Sequence, residues 1–453
     1  MEKSADVVIV GAGVAGLVAA RDLVRDGVDV QVLEARDRVG GRLLNGELPG
    51  GAPIELGGQW VTPTQHRAME LITELGLRTY PTYCEGEHIA ELHATRRYTG
   101  RIPKLNSLIL ADIGQTQYRL DRIARQVAAT DPWLAPRAEE LDRQTFDTWL
   151  RRAARTPSGR HFFRLITQAV FAAEPQDMSA LWAAFYVGAA GGLDQLINVV
   201  GGAQQDRVIG GTQRIALELA KQLGDRILLQ APVTDIDWQP AASSGVRVTT
   251  RSGLTVRAQR AVVAVPPPLA ARIRFTPCLP GDRDQLVQRM PMGRVIKVNL
   301  AYDEPFWRHA GLSGQVSSIH RPLSIVFDNT PHDGSCGVLV GFLEGRHADA
   351  GSRMSPDARR AQVIDDLVGY FGPQARDPIA YIERDWAEEE YSRGCYGAFT
   401  PPGTLTRFGP ALRRQVGPLH WAGTETATRW AGYIDGAAES GHRVADEIRR
   451  KLP

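Results

Sequence analysis

A chain of 453 residues exceeds one comfortable core, so two domains are expected. A formal net charge of +2, with both signs interspersed among the 23% charged residues, argues against a dedicated nucleic-acid or membrane surface. Four cysteines, Cys84, Cys278, Cys336 and Cys395, lie far apart without CxxC or metal spacing, so neither a disulfide framework nor a metal site is expected, and a reducing, cytoplasmic setting is.

The first strand signal is residues 6–10, an apolar β-branched run so close to Met1 that no signal peptide is expected. Gly11-Ala12-Gly13-Val14-Ala15-Gly16 follows without a gap, then a helical pattern with Leu17, Ala20, Leu23 and Val24 on one face. Residues 28–33 read as a second strand ending at Glu34. In this βαβ context GxGxxG is a dinucleotide fingerprint. Gly11 allows the tight turn, Gly13 lets backbone approach a pyrophosphate, and Gly16 lets the helix pack on the strand. Glu34 stands where a carboxylate accepts from ribose hydroxyls. These residues leave NAD and FAD both open. Arg-Val-Gly-Gly-Arg at 38–42 tilts toward FAD, with Gly40 and Gly41 near the pyrophosphate and Arg42 able to add a forked charge-assisted pair.

Residues 107–225 carry helical spacing with few strand signals. The longest uncharged apolar stretch, 181–193, is interrupted by glycine and shorter than the roughly 20 residues a membrane span needs. Residues 227–229, 246–249 and 261–265 read as strands, the last halted by Pro266-Pro267-Pro268. Two more strands are expected at 295–302 and 337–343, a helix at 355–372, and a strand–turn–helix from 419 to about 451. The fold class is therefore α/β (α+β). A Rossmann-like nucleotide-binding domain is assembled from discontinuous segments, 1–80, 209–285 and 388–453. Residues 81–208 and 286–387 form a substrate domain of mixed sheet plus helices.

Lys297 lies mid-strand among apolar neighbours in a chain with five lysines against 48 arginines. It is either a solvent-facing strand lysine or a functional ammonium, because a buried one is costly. Tyr396 and Tyr433 are either core edges or two parallel phenol walls that orient an amine nitrogen. Cys395 is either a small buried hydrophobe or a candidate covalent anchor for a flavin ring, with Arg393 nearby to lower its pKa.

Several spaced stretches resemble the flavin-dependent monoamine oxidases, in order and along almost the whole length. They are Glu-Ala-Arg-Asp-Arg-Val-Gly-Gly-Arg at 34–42, Leu-Gly-Gly-Gln-Trp at 56–60, Ser-Ala-Leu-Trp at 179–182, and Met-Gly-Arg-Val-Ile-Lys at 292–297. Glu-Pro-Phe-Trp at 304–307, Gly-Cys-Tyr at 394–396 and Gly-Thr-Glu-Thr-Ala-Thr at 423–428 continue the series.

The resemblance implies an FAD enzyme that oxidises small-molecule amines with O2, yielding aldehyde, ammonia and hydrogen peroxide. Lys297 would face the flavin, Tyr396 and Tyr433 would form the cage, and Cys395 would carry the covalent link. FAD would also meet Ala35, Gly41, Arg42, Gly57, Gly58, Gln59, Trp60, Val233, Trp386, Gly423, Thr424, Glu425, Thr426 and Ile434. The substrate cavity would fall on Ile197, Gln204, Ile325 and Phe342.

Gln59-Trp60 departs from the smaller pair of the animal enzymes, and no membrane tail is expected after the last helix. Bacterial relatives without the cysteine hold FAD non-covalently, so the linkage is an expectation for this chain alone. A homodimer is one assembly left open. Rival readings are a diamine or polyamine oxidase of putrescine type, with Asp194 or Glu344 at the cavity mouth, and an L-amino-acid oxidase. The second needs an inward arginine, and the cage segments offer only Arg393 and Arg429. A flavin-binding scaffold without turnover is the non-enzyme alternative.

Overall fold

The computed structural model describes residues 2–451 apart from 93–94, 101–102, 104, 128–130 and 240–244, so Met1 and Pro453 lie outside the described residues. In its eight-stranded sheet, Glu2–Val10 pairs in parallel with Val30–Leu33 on one side and Thr255–Val263 on the other. Val10 is level with Leu33 and Val263, and Val263 with Trp421 of the parallel strand Leu419–Trp421. The carboxyl ends of these strands therefore stop along one line, where open α/β sheets place their ligand crevice.

Consecutive apolar residues make this possible, because both faces of the sheet are covered. Val7, Ile9, Val32 and Val262 pack under the helices Val14–Arg25 and Ile434–Arg449. Val8, Val10, Leu33 and Val263 pack on the other side with Val248, Val256 and Trp421. The sheet is completed by Val246–Thr250 and Val233–Asp237, which are antiparallel neighbours, and by Arg274–Thr276 and Ile227–Leu228 at its edges.

A seven-stranded sheet runs in the order Ala380–Asp385, Val295–Tyr302, Gly337–Glu344, Ile325–Asp328, Leu312–Ser318, Glu87–Glu91, Thr95–Tyr98. Every residue of Val295–Tyr302 is buried. Ile296, Val298, Leu300 and Tyr302 pack with Val363, Leu367 and Tyr370 of the helix Pro356–Phe371. By the two-residue period of a strand, Val295, Lys297, Asn299 and Ala301 face the opposite side. Pairing of Lys297 with Phe342, and of Phe342 with Ile325, aligns these three on that inner face.

Helices Ser107–Gln126, Phe146–Ala153, Pro157–Phe171 and Ala180–Ala189 form a separate layer around one apolar core. Ala180–Ala189 is apolar on all sides and almost wholly buried, as a core helix should be. No helix among the described residues is long and apolar enough to cross a membrane.

Sequence patterning foresees two strands in 291–345, where the structure has four; Leu312–Ser318 and Ile325–Asp328 are additional. Leu312–Ser318 carries serine, glycine and glutamine inside the sheet, and Ile325–Asp328 is too short to display a period.

A Cβ on Gly16 would lie 2.0 Å from the Gly11 carbonyl oxygen and 3.3 Å from Ile9 Cγ2. Gly16→Ala must push the helix off the strand, at a cost of about 1–3 kcal/mol for such overpacking. Thermal unfolding should show a lowered Tm; an unchanged Tm would mean that this contact has room to relax.

Candidate active site

One continuous cavity of about 390 Å³ opens at the carboxyl ends of the central strands and extends to the inner face of the second sheet. At its first end it is bordered by Gly11, Gly13, Val14 and Ala15. The helix Val14–Arg25 starts at Gly13 with no side-chain cap, and a Cβ on Gly13 would meet nothing within 4 Å. Uncapped first-turn amides beside open space suit a phosphate. Glu34 and Ala35 border the same end, with Val233 across from them and Gly41 alongside. Glu34 is buried and accepts from the Ala12 amide at 2.7 Å and the Arg36 amide at 2.9 Å. Gly16 stands behind, in the helix–strand contact.

Arg42 borders the cavity, but its fork is not free for a pyrophosphate. Its Nη1 donates to Glu425 Oε1 at 2.6 Å and to the Tyr396 carbonyl at 2.9 Å, and its Nη2 to Glu425 Oε2 at 3.1 Å. Burial alone would raise the Glu425 carboxyl, yet the Arg42 guanidinium beside it holds it below its ordinary value. Glu425 itself is not on the cavity wall, nor is Thr426, whose hydroxyl donates to the Gly423 carbonyl at 2.8 Å. These two brace the turn, whereas Gly423, Thr424 and Ile434 border the cavity.

Gly57, Gly58, Gln59, Trp60 and Trp386 line the next section. Trp386 Nε1 is tied to the Leu56 carbonyl at 2.9 Å, which fixes the indole. A Cβ on Gly57 would sit 2.2 Å from the Arg42 carbonyl oxygen, so only glycine permits this close crossing of chains. Lys297 reaches the same section from its strand, 3% exposed, and its Nζ donates to the Gly57 carbonyl at 2.8 Å and to Gln59 Oε1. Burial pulls its pKa down to about 7. The solvent-facing alternative for this lysine does not hold, because helix Pro356–Phe371 covers one face of its strand and the cavity section the other.

Cys395, Tyr396 and Tyr433 complete the wall, and both phenols stay partly open to the cavity. Tyr433 is held edge-on by Trp430 at 5.0 Å between centroids, with the Tyr186 ring 6.1 Å away. Tyr396 donates its hydroxyl to Glu344 Oε1 at 2.6 Å. Glu344 is 1% exposed, its Oε2 has no hydrogen-bond partner, and burial pushes its pKa up to about 7 against the opposing Tyr396 bond. The Cys395 thiol is pushed up to about 12 by burial. The cations that oppose this are Arg42, Arg36 and Lys297; the expected Arg393 is exposed and plays no such part.

Of the four expected substrate-cavity residues, Gln204 and Phe342 line the wall. Gln204 Nε2 is anchored on the Leu196 carbonyl at 3.0 Å, and its Oε1 is buried without a partner. Ile325 sits beside Phe342 in the sheet and packs in the cluster behind the wall, while Ile197 packs on the helical core. Three residues were missed or misplaced. Tyr186 follows Trp182 by four positions, so the helical period places it on the face of the Ser-Ala-Leu-Trp motif. Arg36 lines the cavity and reaches Ser392 Oγ at 2.8 Å, but one arginine among 48 gives no signal. Glu344, weighed only as an acid at a cavity mouth, instead lies buried behind Tyr396.

The chain matches the family described as flavin containing amine oxidoreductase over residues 14–449. It belongs to that family. A relative from Mycobacterium tuberculosis, a putative flavin-containing monoamine oxidase, is 45% identical over 99% of this chain and 97% of its own. The flavin-containing amine oxidase A of Canis lupus familiaris is 36% identical over 99% of this chain and 85% of its own. Among solved structures, a wild-type putrescine oxidase bound to putrescine superposes with a TM-score of 0.95 at 36% identity, with both chains fully covered. A cyclohexylamine oxidase from Brevibacterium oxydans gives 0.94 at 34% identity, with 99% of each chain covered. This family member is therefore an FAD-dependent amine oxidase, and the uncapped helix start beside Gly13 fits the cofactor's phosphates.

The bond from Tyr396 to Glu344 separates two substitutions. Glu344→Leu removes the acceptor and should lower kcat/KM for an amine about tenfold, as for a lost hydrogen bond to a charged group. Glu344→Gln keeps an acceptor and should recover most of that loss. Steady-state kinetics on both variants checks this; equal losses would mean that the bond does not hold the ring.

Proposed function

We propose that this oxidase converts primary monoamines with an apolar or aromatic body to aldehydes through an imine, with release of ammonia and hydrogen peroxide. The observation that carries the reading is the meeting of the Tyr396 and Tyr433 rings with Lys297 on one cavity that runs on to the dinucleotide cradle. Bound FAD supplies the two-electron acceptor for the C–H bond α to nitrogen, and O2 takes the electrons onward. Phenol faces attract and orient the substrate nitrogen, which must lose its ammonium proton before its lone pair can assist. With FAD bound in this cavity, Lys297 would present its remaining N–H to it and would offer positive charge where reduced oxygen species gain negative charge.

Two relatives differ in the amine named for them, putrescine in one and cyclohexylamine in the other. The wall around the cage supports a monoamine. Among the described residues its bordering carboxylates are Glu34, committed to backbone amides of the cradle, and Glu390, paired with Arg251 at 3.4 Å. Near the cage the wall is Trp60, Val170, Tyr186, Leu196, Gln204 and Phe342, so a second ammonium would find no ion partner. An amino-acid carboxylate fares no better near the cage, because Arg393 and Arg429 are exposed, Arg42 is held by Glu425, Arg36 by Glu389 and Ser392, and Arg251 by Glu390. We also assign residues 1–80, 209–285 and 388–453 to FAD binding and 81–208 and 286–387 to the substrate side. A cytoplasmic location fits the four free cysteines.

Anaerobic titration of the purified holoenzyme with benzylamine, cyclohexylamine, putrescine and an L-amino acid tests the reading. Benzylamine and cyclohexylamine should bleach the flavin band at lower concentration than putrescine, and the amino acid should not bleach it. Preferential bleaching by putrescine would transfer the chain to the diamine reading.

Cys395 borders the cavity together with Tyr396, Lys297 and Trp386, which supports a thioether that its sulfur would form with the 8α-methyl carbon of a bound flavin. One S–H and one methyl C–H bond break, the S–C bond forms, and the electron pair released reduces the flavin and then passes to O2. With the thiol held up at about 12, little thiolate exists at neutral pH, so attachment should be slow after FAD is seated. Acid precipitation should leave the yellow colour with the protein, and Cys395→Ala should release it; a colourless wild-type pellet refutes the link.

A further inference from the structure

Gln59 lines the cavity, but its side-chain hydrogen bonds lead away from it into the second sheet. Its carbonyl oxygen accepts from Lys297, and the rest of the side chain cannot turn. Gln59 Nε2 donates to Asn329 Oδ1 at 2.9 Å, Asn329 Nδ2 donates to Asn299 Oδ1 at 3.0 Å, and Asn299 Nδ2 donates to the Glu55 carbonyl at 3.4 Å. Gln59 is 2% exposed, and Asn329 and Asn299 are fully buried.

The ends of this chain decide its direction. A backbone carbonyl only accepts and an ammonium only donates. Turning any one amide over would therefore set N–H against N–H on one side and oxygen against oxygen on the other, leaving buried polar groups unsatisfied at about 1–3 kcal/mol each. Every amide thus presents its oxygen toward Lys297. A charged lysine has three donors, of which two end on Gly57 and Gln59, so one is left at the cavity that Lys297 borders.

We propose that Gln59, Asn329 and Asn299 form a positioning chain for Lys297, and that Asn329, which does not border the cavity, governs reoxidation of the reduced flavin through it. This rests on the role given to Lys297 above. The titratable and charged groups around that lysine are Glu55, paired with Arg207 at 2.7 Å, the Cys395 thiol, and cross-strand Arg384, engaged by Glu389. The Phe342 ring lies 5.7 Å from its nitrogen. With Lys297 drawn down to about 7, its charge is present below that pH and lost above it. Reoxidation should therefore slow as pH rises through this value. A carboxylate at 329 keeps the acceptor for Gln59 but not the donor to Asn299, and its charge should hold the lysine proton longer; an apolar group there should release Gln59.

The test uses FAD holoenzyme reduced with dithionite and mixed with O2 between about pH 6 and 9, a range that spans the lowered lysine value. Reduction by benzylamine is measured separately under anaerobic conditions. Asn329→Leu should reoxidise about fivefold more slowly at neutral pH, as for loss of one net hydrogen bond, with reduction unchanged. Asn329→Asp keeps the acceptor for Gln59 and gives up the donor to Asn299, and its added charge should move the fall in reoxidation to higher pH by about one unit. Lys297→Met should be slow at every pH. A slow Lys297→Met with Asn329→Leu reoxidising at the normal rate overturns the chain and leaves the lysine its role. A normal Lys297→Met overturns both, and equal slowing of reduction and reoxidation in the Asn329 variants reduces the chain to packing.

Discussion

A lysine and an asparagine two residues apart on a strand with both faces covered set the terms for everything around them. Water is excluded by the helix Pro356–Phe371 on one side, and the inner face must supply acceptors for every buried donor. That demand brings the Gly57 carbonyl and Gln59 to the strand, and with them the stretch that lines the middle of the cavity. The ammonium is tolerated because it is satisfied, and it titrates near neutrality because burial never stops costing the charged form.

The second dependency is the Arg42–Glu425 pair. It joins the glycine-rich stretch near the amino end to the turn before the last helix, and it carries the Tyr396 carbonyl as well. Glu425 also accepts from the Ala398 amide at 3.2 Å, so the loop that holds Cys395 and Tyr396 is fastened from two sides. Breaking one partner of such a buried pair costs about 3–5 kcal/mol, because the other charge is then stranded. Three separate stretches of chain meet in this one contact, and the cage wall is positioned by it.

Local pattern and long-range partnership were legible to different degrees. Glycines with a steric task, such as Gly11 and Gly16, can be read from spacing, because a turn or close approach admits nothing else. Val295–Tyr302 can be read from its apolar run, but a run alone does not tell which parity faces the cavity; only the partner helix decides that. Arg42 shows the limit most plainly. A guanidinium in a phosphate-binding stretch invites an anion, and the anion it takes is a carboxylate 383 residues away. Glu344 and Asn329 were opaque for the same reason, since their importance lies in the groups they face across strands.

Burial acts in opposite senses on the two ionisable groups nearest the cage. It draws Lys297 down and pushes Glu344 up, each to about 7. Below that pH the lysine is charged and the carboxyl neutral, so on the proposed roles oxygen chemistry is favoured and an incoming ammonium repelled. Above it the lysine is neutral and the carboxylate charged, so on the same proposed roles amine binding is favoured and the help given to oxygen weakened. The two half-reactions thus make opposite demands on one small region, and a sheet that buries both groups on one face compromises between them near neutrality. Neither group needs to touch the substrate for this to hold, since in a dry site the field of each is felt well beyond its hydrogen bonds.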